Sequence, residues 1–254
     1  MFSRMSSRPA PLTADLWLHS PQLPSRRPRP SEFYANGIDS PPFACYANGM
    51  ASPGELVAVM ADTLGVPSAT VAQYDRVLAE NGLRSSGGRG LSAAKVTAAD
   101  AANLLIAIMG SPISGAPIKE AAQTCKLYAA LRYQIGPRGR PKIPSHELFK
   151  RLADLPTTHS FHKALVALIA GATEVDSIST DERGLLDVQL TAPFFRARII
   201  VHDPRAVFDS TKWARLTYLG RGYGLERRDF DLRQSREVTL RTIWELAATL
   251  RRSG

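Results

Sequence analysis

The apolar residues of this chain change their period part-way along it, and that change limits what the chain can fold into. From Glu55 they recur every three or four positions. Leu56, Val59, Met60 and Leu64 share one helical face, and Val71, Tyr74, Val77 and Leu78 share another. Gly65 stops the first run. Thr97 followed by Asp100 is a capping pair for a helix through Leu104, Leu105, Ile108 and Met109. Pro117 opens a further helix through Leu131 that ends at Gly136, and two shorter helices are expected near 145–153 and 160–170, separated by Pro156. After Gly171 the texture is that of strands. Leu185–Thr191, Phe194–His202 and Ala214–Leu219 are rich in β-branched, aromatic and alternating residues. A last helix near 236–252 has Leu240, Ile243, Trp244, Ala247 and Leu250 on its apolar face. The expected fold is mostly α with a smaller α+β C-terminal part: a helical domain, then a small three-stranded sheet and a C-terminal helix.

The 254 residues allow one or two domains at roughly 100–200 residues each. Residues 1–54 are rich in Pro, Ser and Arg with no sustained apolar period, and read as a disordered tail. Met50 stands just before the structured sequence and is an alternative start. Residues 55–172 form the expected helical domain and residues 173–254 the α+β domain. No window approaches about 18 uninterrupted apolar residues, so no membrane partner is expected. Cys45 and Cys125 are too few for a disulfide scaffold or, alone, a zinc site. A reducing cytoplasm is the simplest setting.

The formal net charge is +9. It is concentrated between residues 111 and 172, which hold nine basic and three acidic side chains. Residues 55–110 hold four basic and five acidic ones. A local basic face permits nucleic acid as a partner.

The stretch Ala61-Asp62-Thr63-Leu64-Gly65-Val66-Pro67-Ser68-Ala69-Thr70-Val71 has a spacing with a physical logic. Ala61 is small where a second helix crosses, and Gly65 suits a tight turn with positive φ. Val66 and Val71 fill the angle between two helices, and Ser68 is placed to cap the second. The stretch, about residues 56–80, resembles the helix-turn-helix of bacterial and phage regulators. Gly82, Leu83 and the Gly/Arg loop that follow are similar to the winged type, in which a hairpin touches the DNA backbone. The resemblance implies a recognition helix presenting Ser68, Ala69, Thr70, Gln73 and Arg76, with Arg84 and Arg89 holding phosphates from the loop.

The basic loop 136–144 contains Pro137-Arg138-Gly139-Arg140-Pro141-Lys142. It resembles the core of the AT-hook, in which Gly lets an extended backbone approach the minor groove and the flanking arginines run along its floor. The resemblance implies groove contacts by Arg138, Gly139, Arg140 and Lys142. Gly136 replaces the basic residue usual before the first Pro.

Other signals carry less. His159 and His162 share a helix face, but no further ligand lies nearby, so no metal is expected. Asp181, Glu182, Asp187, His202 and Asp203 could serve a nuclease, yet acids flanking strands are usually solvated. Gly220–Gly224 reads as a turn and Cys125 as a small core residue.

The sequence therefore points to a DNA-binding transcriptional regulator of bacterial or phage type, cytoplasmic and nucleoid-associated. It would be a homodimer on double-stranded DNA, not an enzyme, and without cofactors. Its C-terminal domain would dimerise or receive a protein partner. Two alternatives remain: a DNA-packaging or recombination accessory protein of a mobile element, or a DNA-processing enzyme using the C-terminal carboxylates.

Overall fold

A computed structural model describes residues 51–85, 95–112, 116–137, 139–178, 184–192, 195–203, 213–220 and 234–251. Within residues 46–254, which form one compact unit, seven helices and one five-stranded antiparallel sheet are described. The class is mixed α and β.

Helix α1 is Pro53–Leu64. The Ser52 hydroxyl accepts the Glu55 amide at 3.2 Å, and the Glu55 carboxylate accepts the Ser52 amide at 2.6 Å. This reciprocal cap, with Pro53 in the first turn, starts the helix inside the stretch expected as tail. Residues 1–50 lie outside the described residues. Helix α2 is Ser68–Glu80 and α3 is Ala98–Gly110. The Thr97/Asp100 capping box that opens α3 is formed as expected. Helix α4 is Ala121–Ala129, α5 is Glu147–Ala153 and α6 is Phe161–Thr173.

Two strands depart from the sequence reading. The helix expected through Leu131 ends at Ala129, and β1, Arg132–Gln134, follows it. Tyr133 is buried between flanking exposed residues and pairs with Tyr218 in the sheet, which outweighs the helical spacing. Strands β2 (Leu186–Ala192), β3 (Arg196–Val201) and β4 (Ala214–Leu219) match the three expected. The last helix, α7, is only Leu240–Arg251, because Gln234–Thr239 forms β5 against β2. Strand β5 has one buried residue, Val238, so its alternation leaves almost no apolar trace.

The strand order is β1-β4-β3-β2-β5, all pairs antiparallel. Leu186, Val188, Leu190, Ala197, Ile199, Val201, Ala214, Leu216 and Tyr218 are buried, and define the inner face of the sheet. Helix α3 packs on β2 and β5 and also on α2, α4, α6 and α7, so it lies at the centre of the molecule. Its Leu104, Leu105, Ile106 and Ala107 are all at most 1% exposed. The boundary expected at 172/173 falls at the end of α6, and the core is continuous across it: α7 packs on α1 and α6. Helices α5 and α6 approach so closely that a Cβ on Gly171 would lie 2.5 Å from the Leu148 carbonyl oxygen. Among the described residues no helix is long and apolar enough to cross a membrane.

Candidate functional site

Helices α1 and α2 meet through the turn that the sequence frame required. Gly65 has φ 64 and ψ 29, a left-handed conformation that costs a β-carbon-bearing residue roughly 1 kcal/mol. Its amide and that of Val66 both donate to the Ala61 carbonyl, the latter at 3.1 Å. Ala61 is buried, Val71 is fully buried, and Val66 packs against the core from a half-exposed position. One expected cap is absent. The residue at the N-cap of α2 is Pro67, and Ser68 is the first helical residue and exposed. The Thr70 and Val71 amides instead reach the Pro67 carbonyl at 2.9 and 3.1 Å.

A 13-residue helix such as α2 is marginal alone, so its orientation comes from packing. Val71, Tyr74 and Leu78 are buried, at about 1.5–3 kcal/mol for each fully buried side chain of this size. Tyr74 also holds a 2.7 Å hydrogen bond to the Ser111 hydroxyl. The opposite face exposes Ser68, Ala69, Gln73 and Arg76, with Thr70 half-buried. Among the described residues, Gln73 and Arg76 make neither a hydrogen bond nor an ion pair.

Arg84 departs from the role expected of it. Its Nε lies 2.9 Å from the Asp75 carboxylate, with the side chains only 17% and 11% exposed. It is bound to neutralising a buried acid rather than extended toward a phosphate. Burial pushes the Asp75 carboxyl above its ordinary range, and the nearby Asp100 adds to the shift while Arg84 opposes it. Asp100 is satisfied separately by the amides and hydroxyls of Ser85 and Thr97, at 2.7–2.9 Å. Arg89 lies outside the described residues, as does most of the loop that would form a wing.

The basic loop is likewise built into the fold. The Gly139 amide donates to the Gly136 carbonyl at 2.9 Å, closing a tight turn where the hook needs an extended chain. Arg140 reaches back to the C-terminal end of α5. Its guanidinium donates to the carbonyls of Leu155 and Ala153 at 2.8 Å and to Leu152 at 3.4 Å. Leu152 and Ala153 lie in the last turn of α5, whose carbonyls have no intrahelical partners, and Leu155 follows just beyond it; a cation there also complements the helix dipole. Gly139 and Lys142 are exposed, and Arg138 lies outside the described residues. Two more arginines have comparable duties. Arg236 donates to Ile108 near the end of α3 at 2.5 Å, and Arg251 donates to Val175 just beyond α6. Part of the positive charge is therefore structural.

The outer face of the sheet holds basic residues that the sequence reading passed over. Arg132, Arg196, Arg198 and Arg215 all project there, opposite the buried Tyr133, Ala197, Ile199, Ala214 and Leu216. The i, i+2 pair Arg196 and Arg198, alternating with Ala197 and Ile199, was the available signal.

His202 and Asp187 pair at 2.7 Å, with Trp213 edge-on to the imidazole at 4.3 Å. Asp181 and Glu182 lie outside the described residues. Among the described residues no group of three or more His, Cys, Asp or Glu is placed to hold a metal ion. His159 is buried against Tyr133 and Tyr218, whereas His162 is half-buried. Cys125 is fully buried, and burial pushes its thiol up to about 12. Comparison with known proteins gave no match to a family model, to a curated protein or to a solved structure.

Proposed function

We propose that the chain is a DNA-binding regulator of bacterial or phage type that reads the major groove with α2. The observation that carries this reading is the exposed, uncommitted stripe Ser68, Ala69, Gln73 and Arg76, set opposite buried Val71, Tyr74 and Leu78. The Gly65 turn and small, buried Ala61 support it, because they let the two helices cross closely. Gln73 would pair with an adenine edge, and Arg76 with a guanine edge or a phosphate. The helix pair is acidic apart from Arg76, so phosphate contacts must come largely from elsewhere. A homodimer would address two half-sites about one helical turn apart and sit with the nucleoid.

Selection of bound sequences from a random duplex pool supplies the test site. Gln73→Ala and Arg76→Ala should then each weaken binding to that site by about 1–3 kcal/mol while binding to unrelated duplex changes less. An equal fall on both duplexes, or none on either, would remove α2 as the reading element.

A further inference from the structure

The outer face of the sheet carries a charge pattern that a role for α2 leaves unused. Strand register places Arg132, Leu219, Arg196 and Thr191 in one row across β1, β4, β3 and β2. The next row is Gln134, Thr217, Arg198 and Gln189, and the third contains Arg215, Ile200 and Asp187. Successive rows are about 7 Å apart and neighbouring strands about 4.8 Å apart. Four guanidinium stems thus rise from a patch on the order of 10 by 15 Å. Among the described residues the carboxylates on these rows lie on β2 and β5, and both are engaged: Asp187 with His202, and Glu237 with Gln189.

Arg132 and Arg215 are exposed, while Arg196 and Arg198 are half-buried. Arg132 donates to the Thr158 carbonyl at 3.0 Å. Among the described residues Arg196, Arg198 and Arg215 make no hydrogen bond or ion pair, and the Nε atoms of Arg196 and Arg198 are buried without a partner. Four like charges held on rigid strands repel one another, and an anionic polymer laid across them relieves that repulsion. The planar guanidinium fork suits phosphate oxygens in particular.

We infer that this face binds the phosphate backbone of duplex DNA without reading its sequence, as a surface separate from α2. The choice of DNA among polyanions rests on the function proposed above. Duplex rather than single strand is chosen on that same reading: the rows present charge, while the adjoining ring on this face, Trp213, packs edge-on against His202 instead of lying open for a base to stack on. Helix α3 packs on α2 and on strands β2 and β5. The exposed side of α2 and the outer face of the sheet therefore belong to separate elements that both pack on α3.

The test uses the full chain, a duplex of random sequence, the selected site and the matching single strands. Arg198→Gln with Arg215→Gln should weaken random-duplex binding on the order of tenfold, and flatten the slope of log affinity against log salt by about 0.9 per arginine removed. The preference for the selected site over random duplex should be unchanged. If circular dichroism shows that the double variant fails to fold, Arg215→Gln alone, at an exposed strand position, should give about half the slope change. An unchanged salt slope would overturn the inference. So would tighter binding of single strands than of duplex, or an effect that sedimentation traces to loss of a dimer. If the sheet variant loses affinity while the α2 variant keeps its site preference, the role of α2 fails and the sheet surface stands.

Discussion

Tyr218 of β4 donates its hydroxyl proton to Nε2 of His159, 2.9 Å away, and both residues are buried. The other ring nitrogen fixes this direction. His159 Nδ1 lies 2.6 Å from the Pro156 carbonyl, which only accepts, so Nδ1 carries the proton and Nε2 receives the hydroxyl. The arrangement suits the neutral imidazole. Burial lowers the affinity of His159 for a second proton; the Pro156 carbonyl partly offsets this, and Arg140 and Lys163 add to the lowering. His162 is shifted the same way, again by burial.

The pH dependence follows from the sign of those shifts. A histidine held below its ordinary value binds fewer protons folded than unfolded, so acidification favours unfolding. The contribution is fully present above the ordinary value of 6.5 and is lost as pH falls from there through the folded values. Urea midpoints measured from pH 8 to pH 5 should decline below about 6.5. His159→Gln should flatten that decline, and stability that rises on acidification through the same window would contradict it.

The Asp75–Arg84 pair predicts an asymmetry between its two partners. Arg84→Ala leaves a carboxylate in a site only 11% exposed and near Asp100, and should cost about 1–3 kcal/mol at neutral pH. Asp75→Asn removes the poorly solvated charge itself and should cost less. Adding Asp75→Asn to Arg84→Ala should recover part of the loss, as read by chemical denaturation. Asp75 also holds its proton more tightly when folded, so the Arg84→Ala defect should shrink as pH falls toward the carboxylate range. A defect of constant size across that range would show that the pair acts by packing alone.

Two glycines should respond differently to alanine. Gly65 has open space around a Cβ but a left-handed φ, so Gly65→Ala should cost roughly 1 kcal/mol through backbone strain. A Cβ at Gly171 would meet the Leu148 carbonyl oxygen at 2.5 Å, a main-chain atom that moves only with α5. Gly171→Ala should therefore cost about 1–3 kcal/mol by overpacking. Equal losses in thermal unfolding would mean that α5 gives way.

What the sequence disclosed depended on how each element is stabilised. Helices α1, α2, α3 and α6 show in apolar spacing because their buried stripes face one core. Strands β2, β3 and β4 show because their inner positions are mostly Val, Ile, Leu and Tyr, with Ala197 and Ala214 between them. Strand β1 is three residues long and β5 buries only Val238, so neither leaves a usable period. In the candidate site, exposure of Gln73 and Arg76 was readable from the Ala61/Gly65/Val71 frame. The duties of Arg84 and Arg140 were not, because each depends on a partner at least nine positions away that local spacing does not encode. A basic motif in sequence shows charge, and only the fold decides whether that charge faces outward.

Arg140 gives that distinction a direct measurement. As the free arm of a groove-binding loop it could be lost without harm to the fold. As the cap of α5 it cannot, since its guanidinium serves the Leu152, Ala153 and Leu155 carbonyls together. Helix α5 has only seven residues, so it has few hydrogen bonds of its own to hold its last turn. Arg140→Ala should lower unfolding stability by about 1–3 kcal/mol, from lost charge-assisted hydrogen bonds and lost complement to the helix dipole. Arg140→Lys should restore the charge but not the fork that spans separate carbonyls, and should fall between wild type and alanine. Hydrogen exchange should localise the damage to α5 and the adjoining end of α6. Lys142→Ala, at an exposed position in the same loop, should change stability by less than about 0.5 kcal/mol. An alanine variant at 140 as stable as the parent would mean that the three carbonyls are satisfied equally well by water.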